Sequence, residues 1–128
     1  MKLLLDTHTL VWWMNDDDQL SDLARSCIAD PVNQVFVSAA SAYEISLKHS
    51  MGRFPEAEIL TRKWVDLIQM ASFDLIDITS AHGLRAGLLP QHHGDPFDRL
   101  LIATALEETM SLVSKDQDIA QYDVPVIW

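Results

Sequence analysis

The chain has 128 residues, 48% of them apolar and 22% charged, with four Gly, five Pro and one Cys. That composition excludes disorder and suits one compact domain; a chain this long buries ~65–70% of its extended-chain surface, so it folds without disulfide or structural metal. Nine Lys and Arg against nineteen Asp and Glu leave a net charge of −10, which excludes broad nonspecific duplex binding but not a nucleic-acid enzyme whose carboxylates hold cations.

Lys2–Leu5 is a short apolar run closed by Asp6, and Thr7–Met14 follows as a short helix. The run is too short for a signal peptide, and no stretch approaches the ~20 apolar residues of a membrane span, so a reducing, cytoplasmic setting without membrane contact is expected. Ser21–Ala29 opens with a good N-cap and reads as a helix, in which Cys27 reads as a buried small hydrophobe. Gln34–Ser38 is β-branched and aromatic, the pattern of a strand, and Ala39–Ser50 runs helical without Gly or Pro.

Glu56–Ala71 reads as one helix, with Leu60, Trp64, Leu67, Ile68 and Ala71 along one stripe. Phe73–Ile78 alternates roughly by two, and Ser80–Leu89 is a shorter helix ending before Pro90. Pro96–Thr109 carries the clearest start signal: Asp95 as N-cap, Pro96 at the first helical position and Asp98 as the acid of a capping-box-like turn. Its body, LLIATAL, is apolar nearly all round and should be buried. Leu112–Ser114 and Pro125–Trp128 complete five strands. Strands alternating with helices predict an α/β fold, a three-layer α/β/α sandwich with right-handed crossovers around a mostly parallel sheet.

In such sheets ligands bind beyond the carboxyl ends of the strands, at a topological switch point. Asp6 and Asp116 follow apolar runs at such ends, while Glu44 and Asp98 sit in unusually apolar helical segments. Each acid also has an ordinary structural role available. Asp6 would cap Thr7–Met14, Glu44 would pair with Lys48 on an exposed face, Asp98 would close the capping box, and Asp116 would sit in a turn. Converging, the four would repel one another unless a hard cation held them. Oxygen-only ligands favour Mg²⁺ or Mn²⁺, whereas zinc calls for Cys or a His pair, and such a centre supports phosphodiester hydrolysis.

In LLLDTHTLVWW, VSAASAYEISLKHSMGRF, LLPQHHGDPFDRLLIATAL and LVSKDQDIAQYDVPVIW the chain resembles PIN-domain proteins, in particular the VapC-type toxins of bacterial toxin–antitoxin pairs. HGDPFDRLLIA is the most specific piece, and the resemblance spans nearly the whole of residues 1–128, implying one PIN-like nuclease domain. It implies a metal-dependent endoribonuclease acting on tRNA, rRNA or mRNA, with Asp6, Glu44, Asp98 and Asp116 as the acid quartet that is both catalytic and metal-holding. Thr7 and Ser114 would be supporting hydroxyls, and Asp118 is an additional acid without an assigned equivalent. A homodimer is common in that family, and a cognate antitoxin covers the site; a basic antitoxin segment would suit this acidic chain.

Other signals are weaker. His92-His93 has no Cys or third His at ligand spacing, which leaves His93 as a loop anchor or RNA contact. His8 and His49 read as satisfied structural histidines, and Trp12, Trp13 and Trp64 as core or subunit contacts rather than base-stacking groups. Arg99 would contact phosphate or pair with Asp95 or Asp98, and Lys48, Arg53, Arg62 and Lys63 form the only loose basic cluster. A dehalogenase-like phosphatase needs an Asp where His8 stands, and a receiver domain needs paired acids at the first strand and a Lys after the last. The remaining rival is a non-catalytic PIN-like protein whose acids only bind metal or a basic partner.

Overall fold

A computed structural model describes all residues 1–128. Five strands, β1 (Lys2–Leu5), β2 (Gln34–Ser38), β3 (Asp74–Ile76), β4 (Ser111–Val113) and β5 (Val126–Ile127), form one sheet in the order β3-β2-β1-β4-β5. Every pairing is parallel, so the expected sheet is present in full. Seven helices join them: α1 (Thr7–Met14), α2 (Asp22–Ala29), α3 (Ala39–Ser50), α4 (Glu58–Arg62), α5 (Trp64–Met70), α6 (Ser80–Leu88) and α7 (Pro96–Glu108).

The two-residue period of the strands sorts the core into two layers. Leu3, Leu5, Val35, Val37 and Val113 pack on one face with Leu10, Val11, Ala24, Ile28, Leu60 and Ile68 from the helices α1, α2, α4 and α5. Leu4 and Leu112 point the other way, into Ala86, Leu101, Ile102 and Ala105 of α6 and α7. Burial on both faces explains why β1 reads as an unbroken LLL rather than as an alternation.

Ser21 caps α2 and Asp95 caps α7 as their sequences predict. One expected element differs. Glu56–Ala71 is a 3₁₀ turn (Pro55–Ala57) followed by α4 and α5, broken at Lys63, whose φ and ψ are −127° and 39°. Just before the break the Thr61 hydroxyl donates to the Ala57 carbonyl at 3.2 Å, a bond back along the helix that favours bending. The three later strands are shorter than, or offset by one residue from, their apolar runs, because only the paired residues hold ladder geometry.

A capping box missed by the sequence reading closes the start of α6. The His82 backbone N–H donates to the Thr79 hydroxyl while the His82 ring accepts from the Thr79 N–H. Thr79→Ala should cost about 1 kcal/mol, read as a lower urea midpoint with unchanged slope. No helix is long and apolar enough to cross a membrane.

Candidate active site

The chain places β2 and β3 on one side of β1, and β4 and β5 on the other. The switch point therefore lies between β1 and β4, where Leu5 pairs with Val113. The next residues are Asp6 and Ser114, and both are buried. The Asp6 backbone N–H donates to the Val113 carbonyl at 3.2 Å, and the Thr9 hydroxyl donates to the same carbonyl at 2.9 Å. Thr7 and Ser41 share a hydroxyl hydrogen bond of 3.0 Å that ties α1 to α3. The carboxyl end of β1 is thus clamped from two sides.

A cavity of about 290 Å³ opens above this point, bordered by Asp6, Glu44, Asp95, Asp98 and Asp116, with Lys48 and Lys115 as its cations. All four acids singled out from the sequence meet here, from β1, α3, α7 and the turn after β4. Structural and site roles coincide in two of them. Asp6 caps α1, accepting from the Thr9 N–H at 2.7 Å, and still borders the cavity. Asp116 sits in a turn, its N–H donating to the Ser114 hydroxyl and its Oδ1 accepting from the Asp118 N–H. Asp118 does not border the cavity; it accepts from the Gln121 side chain in that turn.

Glu44 does pair with Lys48, at 2.5 Å, but not on an exposed face: its side chain is 5% exposed. Asp98 does not close a capping box. Asp95 alone caps α7, accepting from the Phe97 and Asp98 N–H groups, and the Asp98 carboxylate turns to His93 Nε2 at 3.2 Å. His93 Nδ1 lies 2.8 Å from the Tyr122 hydroxyl. When Asp98 is ionised its carboxylate only accepts, so Nε2 then carries the proton and Nδ1 accepts from Tyr122. His93 is therefore the loop anchor, and His92 packs edge-on against Tyr122 rather than serving a metal.

Arg99 differs from both of its expected roles. It is buried and touches neither acid nor open space, donating to the Ala86, Leu89 and Pro90 carbonyls and to the Tyr122 hydroxyl. The orphan carbonyls at the end of α6 draw it inward. His8 is exposed, not a satisfied interior histidine, and His49 has no side-chain hydrogen bond. Trp12 packs against the core yet also borders the cavity. The loose basic cluster divides, with Lys48 and Arg53 beside the cavity and Arg62 and Lys63 away from it. Lys115 also borders the cavity, and a single Lys in the turn after β4 carries no local signal in the sequence.

Burial pushes the Asp6 carboxyl above its ordinary range, against hydrogen bonds from Ser114 and Thr9 and the charge of His8. Burial, then the charge of Asp95, and more weakly those of Asp116 and Asp6, push Asp98 up to about 7, opposed by the hydrogen bond from His93. These are carboxylates short of positive charge. All donors are oxygen, as a hard divalent cation requires. No three acidic, histidine or cysteine side chains form a ready-made cage. Mg²⁺ does not need one, since it keeps several waters and takes one or two carboxylates.

Because the folded value of Asp98 lies above that of an unfolded Asp, the unfolded chain gives up this proton first. The group therefore lowers stability progressively as pH rises from about 4 to about 7 and adds nothing further above that. Asp98→Asn should leave cation-free stability unchanged near pH 4 and raise it by about 2 kcal/mol near pH 8, after discounting for the 16% exposure of the side chain. Denaturation in urea at both pH values checks the sign.

Residues 3–125 match the family model described as the PIN domain. The chain is 32% identical over 125 residues to "Ribonuclease VapC22" of Mycobacterium tuberculosis, covering 96% of this chain and 93% of that protein. Among solved structures it resembles VapBC2 of Rickettsia felis bound to a promoter DNA fragment, with a TM-score of 0.72, 15% identity and coverage of 100% and 99%. It also resembles the FitAcB structure from Neisseria gonorrhoeae, with a TM-score of 0.68, 16% identity and coverage of 98% and 96%.

Proposed function

The chain belongs to the PIN-domain family, and from that premise we propose that it is a metal-dependent endoribonuclease, the toxin of a toxin–antitoxin pair in the cytoplasm. Residues 1–128 act as one nuclease domain. The observation that carries the reading is the convergence of Asp6, Glu44, Asp98 and Asp116, from four separate segments, on one cavity at the switch point. The ribonuclease relative and the structural neighbours described as members of toxin–antitoxin systems support it.

Asp6, Asp98 and Asp116 would hold one or two cations, directly or through water, with Glu44 as a further ligand or as the acceptor that orients the attacking water. When bound, Mg²⁺ or Mn²⁺ supplies Lewis acidity to a water nucleophile and to the phosphate oxygens. The protein's own part is positional. His93 fixes the Asp98 carboxylate, Lys48 holds Glu44, and the Thr9 backbone N–H and the Ser114 hydroxyl favour the ionised form of Asp6. Lys115 offers positive charge at the edge of the cavity, where the phosphate arrives.

A cognate antitoxin with a basic segment fits the −10 charge, and we extend the reading to a homodimer, common in the resembled family. Purified protein, free of antitoxin, should cut a mixed tRNA and rRNA pool into discrete products with Mg²⁺ and cut nothing with EDTA. A folded, partner-binding protein that cuts no RNA with Mg²⁺ or Mn²⁺ would instead be a binding module.

A further inference from the structure

The acid-lined cavity does not end at the acids. A second cavity of about 230 Å³, lined by His8, Lys48, Arg53 and Phe54, shares His8 and Lys48 with the first, so the two adjoin and are treated together as one groove. One wall is aromatic. The His8 ring lies between Phe54 and Trp12, with centroid separations of 5.1 and 5.7 Å. His8 is exposed and the other two rings are half-buried, with the Lys48 ammonium 5.3 Å from the Phe54 ring and that of Lys115 5.8 Å from the Trp12 ring, so His8 is the most open part of the wall.

Two further observations bear on this wall. Phe54 holds φ at +53°, in the left-handed region that a bulky side chain occupies only at a cost of about 1–2 kcal/mol. Two cations without a carboxylate partner also stand on the groove. Of nine Lys and Arg, Arg25, Lys48, Arg62 and Arg85 are in ion pairs and Arg99 is buried. Of the four left, Arg53 and Lys115 stand on this groove, in its second and first cavities.

We propose that the groove carries single-stranded RNA past the bond that is cut, with a flanking nucleobase stacked on the Phe54–His8 wall and the adjoining phosphate held by Arg53. The proposal rests on the ribonuclease reading of the acid cavity. An aromatic wall beside free cations is the combination that binds unpaired strands, because every base has a π-face and every linkage a charge. Duplex RNA hides its base faces in the stack and gains nothing from the wall. The subsite therefore selects unpaired or looped segments and tolerates any base.

The test measures anisotropy of a fluorescein-labelled single-stranded RNA of about 12 nucleotides, with Ca²⁺ in place of Mg²⁺ to suppress cleavage. His8→Ala and Phe54→Leu should each weaken binding about tenfold without changing its salt dependence. Arg53→Gln should lower the salt slope by about 0.7, the loss of one phosphate contact to a single strand. Arg62→Ala, outside the groove, should change neither, and a duplex of the same length should bind the wild type and Phe54→Leu alike. Melting curves exclude misfolding of Phe54→Leu, and His8→Ala and Arg53→Gln are exposed-site changes that stand without it.

Unchanged binding in both His8→Ala and Phe54→Leu, in a protein that still cleaves RNA with Mg²⁺, would take the groove off the RNA path and leave the nuclease reading intact. A wild type that neither binds this RNA nor cleaves the mixed pool would bring down both. Weakened binding of an Arg-rich nonapeptide, with RNA binding unaffected, would overturn the proposal by giving the groove to a protein partner.

Discussion

Asp98→Asn and Asp6→Asn should each lower Mg²⁺-dependent RNA cleavage by about a thousandfold or more, the scale on which one preorganised electrostatic group acts in a transition state. Both substitutions keep the shape and one acceptor oxygen, and exchange the other oxygen and the charge for a neutral NH2 donor. Asn is as good an N-cap as Asp, so the bond from the Thr9 N–H to position 6 survives and α1 keeps its start. At position 98 an amide oxygen still accepts from His93. The measurement is a single-turnover rate on a substrate chosen from the mixed-pool products, with circular dichroism to show retained fold. Near-wild-type cleavage in Asp98→Asn would remove this carboxylate from the reaction. The same variant should be the more stable of the two proteins without cation near pH 8, so lost activity with gained stability separates a site residue from a structural one.

Arg99→Met should destabilise the fold by about 3 kcal/mol, the largest stability loss expected from one charged side chain here. Arg99 is 8% exposed and has no carboxylate partner. Its two terminal nitrogens instead satisfy three backbone carbonyls at 2.8–3.0 Å and the Tyr122 hydroxyl at 3.2 Å. Methionine fills similar volume, leaves the Leu89 and Pro90 carbonyls without a donor and leaves the Ala86 carbonyl only the 3.4 Å bond from the Leu89 N–H. The loss extends to the site, because Tyr122 also holds His93, and His93 holds Asp98. A urea midpoint lowered by about 1–2 M is expected, with residual cleavage falling in the protein that remains folded. A midpoint within error of wild type would mean that water replaces the guanidinium at no cost.

How far the sequence carries depends on the range of the interaction. Ser21 and Asp95 cap their helices because a side chain reaches an N–H two or three residues on, and that spacing is visible in one dimension. The break at Lys63 was not visible, because every residue from Glu58 to Met70 suits a helix and the apolar stripe continues across the break. Arg99 was misread for a related reason. In the sequence it stands beside Asp95 and Asp98, while its partners lie 9 to 23 positions away and are mostly backbone.

The α/β alternation, the burial of β1 and α7, and four acids as candidates were legible along the chain, since periodicity, capping and acids after apolar runs are local patterns. Only the tertiary structure decided that β1 and β4 are neighbours, and that adjacency puts Asp6 beside Ser114 and makes one cavity of four distant carboxylates. It likewise decided the raised protonation of Asp98, the inward turn of Arg99 and the meeting of His8, Arg53 and Phe54. Desolvation and charge coupling depend on distance through space, and strand order sets that distance where chain order does not.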